Sequence, residues 1–125
     1  MTDIIDVNHI KQLLKAFTEA RQWGQYHTPK NLTMALAGEA GELLEIFQWL
    51  TDKESIEVKN KRETKEHISH ELADIMLYVI HIANVLDINL NEALHHKISL
   101  NEKKYPADLV KGSAKKYSSY NSDPK

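Results

Sequence analysis

From Leu72 to Ala83 the sequence reads LADIMLYVIHIA, apolar at nearly every position except Asp74, Tyr78 and His81. A helix that is apolar all round is normally buried on every side. A segment of this kind demands neighbours on several faces, which points to an assembly of helices rather than an isolated surface helix. Asp74 then falls in or beside the core. Glu71 precedes it by three residues on the same face, because an i, i+3 step turns a helix by only about 60°. Unpartnered carboxylates in such a setting carry a desolvation cost, and placing two together adds repulsion. Something cationic must compensate.

The stretch Gly38-Glu39-Ala40-Gly41-Glu42-Leu43-Leu44-Glu45 poses the same problem. Glu39, Glu42 and Glu45 form two successive i, i+3 pairs among Leu36, Leu43, Leu44, Ile46, Phe47 and Leu50. Gly38 and Gly41 each cost a helix about 1 kcal/mol relative to alanine. Close approach of another backbone or a ligand would explain them. If the two acid-x-x-acid steps face each other, Glu39, Glu42, Glu71 and Asp74 gather at one place. No lysine or arginine lies within four residues of any of them. An all-oxygen set suits a hard divalent cation, Mg²⁺ or Mn²⁺. The competing reading is of ordinary solvated carboxylates on amphipathic helices, which the doubled pattern in apolar surroundings disfavours.

Four helical patterns organise the chain. The first runs from about Asp3 to Trp23, with Ile4, Ile10, Leu13, Leu14 and Phe17 on one stripe, and Gly24 and Thr28-Pro29 break it. The second starts between Thr28 and Asn31 and reaches about Leu50. Residues 52–66 are densely charged and expected to be mostly solvated, with Asn60 and Glu63 as a capping pair opening the third helix. That helix ends near Leu86. Asn89 and Glu92 repeat the capping signature, and the fourth helix reaches about Lys104 before Pro106 stops it. No strand pattern is convincing. The expectation is an all-α, four-helix bundle-like domain over residues 1–118, followed by a flexible tail at 119–125.

Length and charge narrow the function. One domain suits 125 residues, and 42% apolar composition suffices for a core. Zero cysteines remove disulfides, thiol catalysis and thiolate metal sites, and fit a cytoplasmic protein. The N-terminus lacks signal-peptide features, and no apolar run is long enough to span a membrane. A formal net charge of −2 argues against a general nucleic-acid binder. That charge is uneven: residues 97–125 hold seven lysines against three acids, a net of +4, which leaves the first 96 residues at −6. The basic segment is either a solvated tail or an aid to anion binding. His70-Glu71-Leu72-Ala73-Asp74 is close to a zinc-peptidase step but has Asp in place of the second His. Glu92-Ala93-Leu94-His95 is a single di-iron-type step where two are needed.

At the acidic steps the chain resembles the MazG-like all-α nucleoside triphosphate pyrophosphohydrolases, and is most similar to their dCTP pyrophosphatase branch. The superfamily signature, E-x-x-E then E-x-x-D, is matched by Glu39, Glu42, Glu71 and Asp74. Also similar are Trp23…His27-x-Pro29-x-Asn31-Leu32, Phe47-Gln48-Trp49, Tyr78, Lys97-x-x-x-Asn101-x-x-Lys104-Tyr105-Pro106 and Gly112-Ser113-Ala114-x-Lys116-Tyr117. Together they cover roughly residues 12 to 118.

The resemblance implies hydrolysis between the α and β phosphates of a nucleoside triphosphate, with Mg²⁺ held by Glu39, Glu42, Glu71 and Asp74. Glu45 is then an extra ligand, an outer partner or a base. The same resemblance gives phosphate contacts to Lys97, Asn101, Lys104 and Tyr105. The superfamily often has arginine near Lys104; lysine keeps the charge without the two-pronged geometry. Base contacts fall to Trp23, His27, Trp49 and Tyr78, whose aromatic members offer flat faces for a pyrimidine. The branch often carries a histidine near Leu14, so the choice of base stays open. A homodimer or dimer-based homotetramer is implied. A same-fold enzyme for another or damaged nucleotide, and a non-enzymatic helical assembly module, remain as alternatives.

Overall fold

The computed structural model describes residues 3–113. Among them are six α-helices and no strand: α1 (Val7–Ala20), α2 (Pro29–Phe47), α3 (Asp52–Glu57), α4 (Arg62–Val85), α5 (Leu90–Lys104) and α6 (Ala107–Val110). The all-α expectation holds. Two short helices join the four long ones. The residues divide into two compact units, one up to Ile88 and one from Asn89 onward. The expected boundary at residue 118, the tail at 119–125 and the motif residues Ala114, Lys116 and Tyr117 lie outside the described residues.

Helix starts follow the local chemistry. Asp6 caps α1 by accepting from the His9 backbone N–H at 3.0 Å, and Thr28 caps α2 by accepting from Asn31 at 3.1 Å, with Pro29 at the first helical position. Asn89 caps α5 as expected, accepting from the Glu92 N–H at 3.1 Å. The start of α4 differs from the sequence reading. Asn60 closes a 3₁₀ turn (Val58–Asn60), Lys61 takes the capping position, and no side-chain cap bond forms. The real capping box lies earlier, where Thr51 and Glu54 exchange bonds of 3.1 and 2.8 Å and nucleate α3 inside the charged stretch. That stretch is mostly exposed, as expected, but anchors itself through buried Val58. Pro106 ends α5 yet opens α6, a short helix that shows no periodicity in the sequence.

Two helix ends share one device. After α1, Gln22 adopts a left-handed φ of 55°, and the N–H groups of Gln22 and Trp23 donate back to the carbonyls of Glu19 and Thr18. After α4, Asp87 (φ 56°) and Ile88 do the same onto Asn84 and Ala83. This is the Schellman arrangement with a non-glycine residue at its left-handed position. It places the break after α1 at Gln22, two residues before the Gly24 that marks it in the sequence.

In the first unit, α2 packs along α4 and α1 also rests on α4. Glu42 bonds Glu71, Glu39 lies beside Asp74, and Ile46 shares a cavity wall with His67. Those pairs descend one helix while ascending the other, so α2 and α4 run antiparallel. Leu32, Ile80 and Ala83 form the buried centre, joined by Val58, Thr18 and Glu71. Contrary to the expectation of burial on all sides, α4 keeps Leu72 49% and Met76 43% exposed within the single chain. One helix pair and α1 cannot wrap every face of so apolar a helix. Leu32→Ala should cost about 2–5 kcal/mol through the cavity it leaves, read as a lowered denaturant midpoint at unchanged slope.

Candidate functional site

The antiparallel register brings the two acidic steps together. Oxygens of Glu39, Glu42 and Glu71 all lie within 4.8 Å of one another. Glu71 is 6% exposed, Glu39 is half-buried and Glu42 is open to solvent, so the group descends from surface to core. Asp74 stands outside that tightest trio but close enough to raise the pKa of both Glu39 and Glu71. Among the described residues, three buried side-chain atoms lack a hydrogen-bond partner: Glu39 Oε2, Glu71 Oε2 and His27 Nδ1. Two of them belong to this cluster.

Its electrostatics follow directly. Glu42 and Glu71 hydrogen-bond each other, which two carboxylates do only when one carries a proton. That bond, then burial, then repulsion from Glu42, Glu39 and Asp74 push the Glu71 carboxyl from 4.5 up to about 7. Burial, with Glu42 and Asp74 behind it, raises Glu39 as well. No cation is among the causes. Orphaned oxygens on hard donors fit a divalent cation, which would replace the shared proton and satisfy them. The space beside Gly38 and Gly41 is open: a β-carbon at either position would meet nothing within 4 Å. The expected close approach of another backbone is therefore not made among the described residues.

On one side the cluster borders a cavity of about 290 Å³. Glu39 and Asp74 form its acidic end; Leu14, Phe17, Thr18, Trp23, His27, Leu77, Tyr78 and His81 form the rest. Its rings meet edge to face in series: Phe17–Trp23 at 5.8 Å, Trp23–His27 at 6.1 Å and His27–His81 at 4.7 Å between centroids. Local bonds hold this wall. The turn at Gln22 returns Trp23 to Thr18, His27 N–H donates to Gly24, and the Asn31 amide donates to the Tyr26 carbonyl at 2.9 Å. A second opening of about 510 Å³ is lined by Glu42, Glu45, Ile46 and His67.

Of the sequence-derived base residues, Trp23, His27 and Tyr78 share the aromatic cavity, while Trp49 is 87% exposed beyond the end of α2 and does not line it. Leu14, where the resembled branch often has histidine, does line it. Glu45 faces the second opening rather than the tight trio. Lys97, Asn101 and Lys104 share a face of α5 in the second unit, and the Tyr105 N–H donates to the Asn101 carbonyl at 2.9 Å. His81 and His67 were given no role from sequence. The signal for His81 was its place seven residues after Asp74, two helical turns along one face.

The raised carboxyls set a pH dependence. A Glu71 pKa of about 7 when folded, against 4.5, means the folded state binds the proton more tightly. Its stability contribution is full below the lower value and is lost as pH rises through the upper one. In chelator, the melting temperature should fall between about pH 5 and pH 7.5, and Mg²⁺ should restore it only at the upper end. A chelated protein with a flat profile, or equal Mg²⁺ stabilisation at both ends, contradicts this.

Comparison with known proteins bears on the same residues. The chain matches the MazG-like family over residues 35–119. It is 37% identical over 108 residues to human dCTP pyrophosphatase 1, an alignment covering 86% of this chain and 64% of that protein. The chain thus spans just under two thirds of that curated relative. The Gene 37 protein of Mycobacterium phage L5 is 30% identical over 83 residues, 66% of this chain and 70% of its own length. Among solved structures, a pyrophosphatase from Archaeoglobus fulgidus superposes with a TM-score of 0.75 at 37% identity, covering 85% of this chain and 97% of that one. Through both acidic steps and the fold that joins them, this chain belongs to the MazG-like family.

Proposed function

We propose that the chain is a nucleoside triphosphate pyrophosphohydrolase, adding water across the bond between the α and β phosphates to give a monophosphate and pyrophosphate. The substrate is dCTP or a related or modified pyrimidine deoxynucleotide. The observation that carries this reading is the convergence of Glu39, Glu42 and Glu71, with two orphaned oxygens, at the end of an aromatic cavity. The names of the human and archaeal relatives support the same chemistry. An assembly module would have no use for a Glu71 buried against three other acids.

Glu39, Glu42, Glu71 and Asp74 would hold Mg²⁺ or Mn²⁺. Bound there, the ion supplies positive charge for the phosphates and acidifies water. The remaining work falls to the chain. Trp23 and Tyr78 flank the base, with His27 beside them; Lys97, Asn101, Lys104 and Tyr105 contact phosphate oxygens. Glu45, facing the second opening, takes one of three roles: extra ligand, outer partner or base. Among the described residues no helix is long and apolar enough to cross a membrane, and the reading places the protein in the cytoplasm.

The working unit is a homodimer or dimer-based homotetramer. Support comes from Leu13, Phe17, Leu72 and Met76, each about half exposed, and from Trp49, almost wholly so. Single chains rarely leave so much apolar side chain bare.

Glu42→Gln and Glu71→Gln should each cut Mg²⁺-dependent pyrophosphate release at least ~100-fold while the far-ultraviolet circular dichroism stays helical. Formation of a diphosphate and orthophosphate instead would place the cleavage at the wrong bond. Sedimentation should return twice or four times the chain mass; a monomer at micromolar concentration rejects the assembly.

A further inference from the structure

The aromatic cavity is polar at one end through Glu39 and Asp74. Of its other lining residues, Leu14, Phe17 and Leu77 offer only carbon, so hydrogen bonding away from the acids falls to few groups. Two of these are imidazoles. His27 and His81 meet perpendicularly at 4.7 Å between centroids, a contact that fixes the plane of each ring against the other. His27 Nδ1 is buried without a partner, and neither ring accepts or donates a side-chain hydrogen bond among the described residues. Buried polar atoms of folded proteins are rarely left so, and those that are mark a missing ligand or water.

His81 lies two turns along α4 from Asp74, with Tyr78 between them and all three on the cavity wall. At 1.5 Å per residue the axial separation is roughly 10 Å. A sugar and a single ring span a gap of that order when the α phosphate sits at the acids. Burial, followed by the neighbouring His27, lowers the His81 pKa below its ordinary value. The ring is then neutral near pH 7, with one N–H to donate and one lone pair to accept.

Resting on the proposed hydrolysis of a pyrimidine deoxynucleotide, we infer that His81, held edge-on against His27, is the specificity-determining residue that reads the hydrogen-bonding edge of the base. Cytosine presents an amino donor beside a ring acceptor, and uracil and thymine present the reverse, so the nitrogen of His81 that carries the proton sets which order is favoured.

The test compares pyrophosphate release from dCTP, dTTP and dUTP by the full chain and by His81→Phe, which keeps a flat ring without nitrogen. The wild type should discriminate between the amino and keto bases. The variant should lose roughly tenfold in kcat/KM on the preferred one, mostly through KM, and less on the others, so the ratio moves toward one. His81→Ala carries the same expectation should the phenylalanine variant fail to fold. An unchanged ratio, equal losses on all three nucleotides, or a wild type that does not discriminate overturns the assignment while leaving the hydrolase reading intact. No release from any of them by the wild type removes both.

Discussion

Carboxylates forced together between two apolar helices set the terms for this molecule. Glu71 is buried, bonded to Glu42 and repelled by Glu39 and Asp74, and no lysine or arginine among the described residues relieves it. Sharing a proton is the remedy the described residues supply. Such an arrangement is unfavourable for stability alone, since apolar side chains of similar volume would serve the α2–α4 contact better. Its retention makes sense when a positive ligand repays the repulsion. The open strip beside Gly38 and Gly41 and the graded exposure from Glu71 to Glu42 give such a ligand a route in.

Much of the site could be read before any coordinates, because its logic is local. An acid-x-x-acid step declares a shared helix face, and two steps in apolar surroundings declare a shared neighbourhood. The antiparallel register then paired Glu39 with Asp74 and Glu42 with Glu71. What periodicity could not show was how turns aim side chains. The left-handed Gln22 carries no glycine signal, yet it places Trp23 against Phe17. Lys61 displaced Asn60 as the start of α4 because Thr51 and Glu54 had already begun a helix upstream. His81 stayed invisible for a different reason: a lone histidine in an apolar run looks like filler until its neighbours from other elements are known.

The exposed flank of α4 is the other lesson. Its sequence asks for burial on every face, and one chain provides it on only part of the circumference. Helix pattern reports what a segment needs, not which polypeptide supplies it. Leu72 and Met76 lie on α4 itself, the helix that carries Glu71 and Asp74, so whatever covers them also stiffens the support of the acids.

The wall of rings and the acids hang from different supports. Trp23 and His27 ride on a short connection held by the Gln22 turn and the Asn31–Tyr26 bond, whereas the carboxylates are fixed by the long α2–α4 pair. A change in that connection can reshape what the cavity admits without loosening the acids. The fold thereby lets the cavity wall vary through a handful of loop residues while the acidic cluster stays put, a division that favours diversification by small steps.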